Sequence, residues 1–153
     1  MPIRRVLLIV ALLLPAVVAQ PAQALETFKT SELTVLTAGG THKFTIELAL
    51  SEPQREQGLM FRRSLAPDAG MLFDMDAPQT VTMWMKNTFI PLDMLFVDRS
   101  GRIVDIHERA VPQSTDIISS RAAARYVIEL NGGTAERLGI KIGDRVTSPY
   151  ILP

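Results

Sequence analysis

Between Met83 and Val97 the chain gathers its only tryptophan, Trp84, together with Met83, Met85, Met94, Phe89 and Phe96, and Pro91 divides the block in two. Side chains of this kind favour burial, with Trp84 either in the core or forming the floor of a pocket, and proline resets the backbone, because it fixes its own φ and biases the residue before it toward extended conformation. Val81–Met85 therefore reads as one extended arm. Val81, Met83 and Met85 fall on one of its faces and Thr82, Trp84 and Lys86 on the other. Leu92–Val97 reads as a second strand. Such arms need partner strands from the rest of the chain.

It supplies them. Leu33–Thr37 has the β-branched content of a strand, and Gly39–Gly40 makes a tight turn. Lys43–Leu50 then alternates, with Phe44, Ile46 and Leu48 on one face and Thr45 and Glu47 on the other. Ser51 with Gln54 forms a capping box, Pro53 falls in the first turn and Gly58 is a natural stop, which predicts a short helix. A turn at Pro67–Gly70 leads into a short buried strand, Met71–Phe73, ending near Asp76–Pro78. Asp98–Gly101 is a hairpin turn that returns the chain along Arg102–His107. Gln113–Ala124 has no clear period and reads as a long surface loop with some helical turn. Tyr126–Leu130 is another strand, Thr134 caps a one- to two-turn helix through Leu138, and Ile140–Val146 is a closing strand and turn. Residues 25–32 read as a loosely held lead-in. About seven short strands with two small helices predict a mainly β domain, a compact β-sandwich or partly closed barrel spanning residues 33–153.

The first 24 residues have the layout of a secretory signal peptide. Arg4 and Arg5 are basic, Val6–Val18 is apolar, and small residues follow at Ala19 and at Ala22-Gln23-Ala24, either of which suits cleavage. The apolar run is about 13 residues, short of the roughly 20 that a membrane span needs, although a retained anchor is the competing reading. A periplasmic or secreted location is expected. Cleavage would lower the 16 basic residues by two, to 14 against 16 acidic ones. This balance offers no basic face for nucleic acid and no basic amphipathic helix for a membrane surface. The chain has no cysteine, which excludes thiol catalysis, thiolate metal sites and disulfides. A monomer without a cofactor is expected.

Several short motifs occur in one order: Gly58-Leu59-Met60 with Arg62, Gly70-Met71-Leu72-Phe73, Trp84-Met85-Lys86-Asn87-Thr88, Pro91-Leu92-Asp93 with Phe96, Tyr126–Glu129, Gly132-Gly133 and Gly143-Asp144. As a set they resemble the family named domain of unknown function 192 (DUF192), over roughly Leu33 to Val146. The resemblance implies a compact, mainly β domain, often exported, with no assigned activity, and it carries over no catalytic residue.

Within that frame, the polar members of the motifs mark a candidate ligand-binding site: Arg62, Trp84, Lys86, Asn87, Asp93 and Glu129. Lys86 and Asp93 flank the Pro91 bend and could pair across it. A binding module for a small ligand, a glycan or an envelope protein is the leading expectation. An envelope enzyme using Asp93, Lys86 and Glu129 as acid–base groups is the alternative. A third reading rests on methionine, whose thioether suits Cu(I). Met83 and Met85 share a strand face and are the candidate ligands, although methionine is also a good filler of β cores. His42 and His107 stand far apart, and no metalloprotease, nucleophile-elbow or phosphate-loop motif is present.

Overall fold

The computed structural model describes residues 24–151. Nine strands and two helices follow one another as β1 (Lys29–Thr37), β2 (Gly40–Ala49), α1 (Glu52–Gln57), β3 (Ala69–Gln79), β4 (Thr82–Met83), β5 (Leu92–Val97), β6 (Ile103–Ala110), β7 (Ile118–Ser119), β8 (Ala124–Asn131), α2 (Thr134–Leu138) and β9 (Arg145–Thr147). Seven strands form one sheet in the order β6-β5-β8-β3-β2-β1-β9, and β4 with β7 makes a separate two-stranded ribbon. Every pairing is antiparallel except β2 with β3, whose crossover carries α1.

The sheet curls until its two ends meet. At the start of β6, Ile103 N–H donates to the Asp144 carbonyl at 2.9 Å, and Val146 N–H of β9 donates to the Gly101 carbonyl at 2.7 Å. Gly101 makes that approach possible, since a Cβ there would lie 2.4 Å from the Val146 carbonyl oxygen. The result is a half-barrel in a mainly β domain with two short helices, as the strand pattern predicts.

Strand alternation gives the sheet two apolar faces, each covered. Leu33, Val35, Phe44, Ile46, Leu72, Leu95, Ile128 and Leu130 fill the concave side, where Ala135 at the start of α2 and Ile140 join them. Met71, Phe73, Met94, Phe96 and Val127 face the other way, under Leu59, Val81, Met85 and Ile90. Both sides of β3, β5 and β8 are therefore buried, and β5 has no exposed residue at all. The block around Pro91 supplies both the buried strand and part of its cover.

The local signals hold where short-range chemistry decides them. Ser51 caps α1 with Gln54 as its reciprocal partner, and Gly58 closes it. Other expectations are corrected. Residues 29–32 of the lead-in are the start of β1, paired with Leu48 through Thr45. The strand after Gly70 runs on to Gln79 by means of an irregularity between Asp74 and Gln79. Only Thr82–Met83 of the first arm pairs, and its partner is β7, inside the segment read as a loop with helical turn. Thr134 is the first helical residue and makes no cap: Gly133, at φ 87, occupies that position, and the hydrogen bonds come from elsewhere. The segment read as a signal peptide lies outside the described residues, apart from Ala24. No helix among the described residues is long and apolar enough to cross a membrane.

Candidate functional site

The six polar residues marked from sequence do not form one cluster. Asp93 is fully buried on the concave side, and its carboxylate accepts backbone N–H groups from Arg109 at 2.8 Å, Gly133 at 3.0 Å and Ala135 at 2.7 Å. It is the missing cap of α2: the orphan amides of Gly133 and Ala135 at the helix start need an acceptor, the partial positive charge there favours an anion, and the Arg109 amide ties the same carboxylate to β6. The expected pairing of Lys86 with Asp93 across the bend does not form. Lys86 Nζ instead lies 5.1 Å from the centroid of the Trp84 ring, a cation–π distance. Arg62 makes a two-pronged ion pair with Glu47 of β2, at 2.9 and 2.7 Å.

Asn87 shapes the bend. It adopts φ 56, in the left-handed region that asparagine tolerates better than most residues. Its carbonyl accepts the N–H of Phe61, itself at φ 66, and its amide nitrogen lies 3.9 Å from the Met60 sulfur. On the other side, Met85 N–H donates to the Ser114 carbonyl and Gln113 N–H to that of Thr88. The bend is thus tied to the chain leaving α1 and to the 111–114 loop, which holds Trp84 at the surface, 45% exposed.

Glu129 is different. It sits in the middle of β8 between Met71 of β3 and Met94 of β5, on the convex side. Only 5% of the residue is exposed. No other described residue brings a charge or a hydrogen bond to its carboxyl, and burial alone pushes it up from 4.5 to about 8. Among the described residues no fully enclosed side-chain oxygen or nitrogen lacks a hydrogen-bond partner, so this carboxyl meets solvent through an opening. That opening is a cleft of about 220 Å³ between α1, β3 and the 82–88 segment, walled by Met60, Phe73, Met75, Met83, Trp84 and Thr88. Glu52, Arg55 and Glu56 of α1 also line it.

Sequence reasoning included Glu129 and Trp84 but missed the α1 wall. The capping box predicts α1 itself, but only the parallel β2–β3 crossover lays the helix over Glu129. The two methionines proposed as soft ligands separate. Met83 is half-buried and lines the cleft, whereas Met85 is 1% exposed within the convex core. No group of three or more histidine, aspartate or glutamate side chains suited to a metal occurs among the described residues.

Residues 34–148 match the DUF192 family, described as an uncharacterised group. The chain belongs to the DUF192 family. No curated protein matches it. Among solved structures, this DUF192 domain is similar to a protein from Sinorhizobium meliloti described as a proposed transcription regulator, with 52% identity and a TM-score of 0.79 over 82% of this chain and 98% of that one. A protein of unknown function from Novosphingobium aromaticivorans is similar at 39% identity, with a TM-score of 0.78 over 85% of this chain and 94% of that one.

Proposed function

We propose that this DUF192 domain is an exported, non-enzymatic binding module that takes a small molecule into the Glu129–Trp84 cleft. One observation carries the reading: a largely buried carboxyl with no protein partner among the described residues opens into a concave, largely apolar site with an aromatic ring at its rim. Burying such a group is costly unless something satisfies it, and a perturbed titratable group in a cleft is a common mark of a functional site. A cleft of about 220 Å³ is smaller than the roughly 300–1,000 Å³ of drug-sized sites, which favours a small ligand over a glycan chain or a protein surface.

Acid–base catalysis is less well supported. Asp93 is committed to α2 on the other side of the sheet, Lys86 lies against Trp84, and Glu129 has no second ionisable group paired with it. Regulation through nucleic acid, suggested by the description of the S. meliloti relative, would require a basic face. Here Arg55, Arg62, Arg109, Arg121 and Arg125 all form ion pairs with carboxylates. Export rests on the N-terminal sequence pattern and is tested by cell fractionation with N-terminal sequencing of the mature chain.

The cleft reading is tested by following Trp84 emission against a small-molecule library. A saturable change in the wild type that is lost in a folded Glu129→Gln variant is expected, and a library that leaves the emission unmoved would sink the reading. One observation favours a second reading: Met60, Met75 and Met83 line the same cleft, so three thioethers face a shared space that could suit Cu(I). Cu(I) bound by the wild type and lost on converting all three to leucine would select it.

A further inference from the structure

We propose that the cleft of this DUF192 domain recognises a small organic ammonium ion, with Glu129 as its counter-ion and Trp84 and the thioethers as its apolar cage. This rests on the cleft being a binding site and names the chemical class it takes.

Charge is the first argument. Among the described residues the carboxyl groups lining the cleft are Glu52, Glu56 and Glu129, against one cation, Arg55. That guanidinium is already engaged: it donates to the carbonyls of Leu50 at 3.0 Å and Asp74 at 2.9 Å and pairs with the Asp76 carboxylate at 3.2 Å. What remains for a ligand is negative charge and acceptor capacity. An anion would meet the carboxylates of Glu52 and Glu56 and an Arg55 already engaged elsewhere, whereas a cation can draw the proton from Glu129 and pair with it.

The walls make the second argument. Trp84 is the aromatic ring best suited to hold a cation, and sulfur is soft and polarizable. Lys86 already places an ammonium group 5.1 Å from that ring's centroid, so the ring receives this chemistry within the protein itself. Phe73 completes an apolar enclosure in which a charge–charge contact is stronger than in water.

Proton accounting gives the proposal its signature. At neutral pH the buried carboxyl carries its proton, because burial pushes its pKa to about 8. When the ammonium group arrives, the carboxyl releases that proton to the buffer and becomes the carboxylate that pairs with the cation. Among the described residues the charged groups that line the cleft with it are Glu52, Arg55 and Glu56 on α1, and Lys86 of the bend stands against the Trp84 ring without lining the cleft. The lining residues of β3, β4 and the bend (Phe73, Met75, Thr82, Met83, Trp84 and Thr88) present no other titratable group, and Met71 and Met94 flank it in the sheet. Affinity should therefore rise up to about tenfold per pH unit below the carboxyl's pKa and level off above it.

The experiment titrates the purified protein with n-butylammonium, n-butanol and butyrate, following Trp84 emission and calorimetry in buffers of different ionisation heat, from about pH 6 to about pH 9. Saturation by n-butylammonium alone, with close to one proton released at neutral pH and none near the alkaline end, is the expected result. Glu129→Gln, which keeps the shape and removes the charge, should weaken n-butylammonium by at least about tenfold and abolish the proton release. Butanol or butyrate binding as tightly as the amine overturns the ammonium class and leaves the cleft standing as a binding site. Amine binding without proton release overturns the role of Glu129. If none of the three probes saturates, the ammonium class falls, and the cleft reading falls with it only if the wider library also leaves Trp84 emission unmoved.

Discussion

Asp93 and Glu129 stand one rung apart on the neighbouring antiparallel strands β5 and β8 and face opposite sides of the sheet. Asp93 is opposite Leu130, and Glu129 is opposite Met94. Side chains alternate across a strand, so a shift of one residue sends one carboxyl into the concave core and the other into the convex cleft. The first accepts three backbone amides and builds the fold, while the second has no partner among the described residues and is available to a ligand.

Asp93 should therefore behave as a structural residue. Asp93→Ala leaves the buried amide of Ala135 and the part-buried amides of Arg109 and Gly133 without their acceptor and is expected to cost about 2–4 kcal/mol. Asp93→Asn replaces one acceptor oxygen with a donor facing a donor and should cost on the order of 2 kcal/mol. Urea unfolding checks both, and an Asp93→Asn protein as stable as the wild type would contradict the capping role.

Glu129 sets a slope of stability against pH. Its folded pKa, about 8, lies above its ordinary value of 4.5. Between those values the unfolded carboxyl has lost its proton while the folded one keeps it, so stability falls as pH rises through that window. Glu129→Gln carries no such proton and should lack the slope, ending on the order of a few kcal/mol more stable than the wild type near about pH 9. Asp105 acts on the acid side: the hydrogen bond from Arg121 holds its pKa below the ordinary 3.8. The stability it adds is present above that value and is lost as pH falls through the lowered one. Thermal melts across the range show whether Glu129→Gln flattens the alkaline limb alone.

The two methionines of the first arm should differ in what truncation costs. Met85 is 1% exposed in the convex core, and Met85→Ala is expected to lose about 2–5 kcal/mol. Met83 lines the cleft and is half-buried, so Met83→Ala should cost less than about 1 kcal/mol while altering any ligand response of Trp84. Equal losses from the two, measured by chemical denaturation, would mean the cleft is closed in solution.

Gly70 tests the strand beneath the cleft. A Cβ there would lie 2.6 Å from the Glu129 carbonyl oxygen and 2.8 Å from a Leu130 methyl. Gly70→Ala must part β3 from β8 or displace Leu130, at a cost of about 2–4 kcal/mol. A variant within about 0.5 kcal/mol of the wild type would show that these strands are less tightly apposed.

Much of the fold was legible because its causes are local. Ser51, Gln54 and Gly58 are close in sequence, and their backbone hydrogen bonds delimit α1 without help from the rest of the chain. The β1–β2 hairpin follows from alternation about a glycine turn, and Pro91 separates the first arm from β5. The two-residue β4–β7 ribbon was not legible, because weak strands of that length are defined only by each other and lie 35 or more residues apart.

The candidate site divides along the same line. The motifs in the sequence marked Glu129, Trp84 and Asp93 as worth testing, without saying which side of the sheet each would occupy. The partners were decided by the tertiary structure alone. The β2–β3 crossover lays α1 over Glu129, the turn after β8 delivers the start of α2 to Asp93, and the tied bend sets Lys86 on Trp84 instead of beside Asp93. A carboxyl's role depends on its dielectric surroundings and on which donors reach it, and those are properties of residues brought together by folding, not of neighbours along the chain.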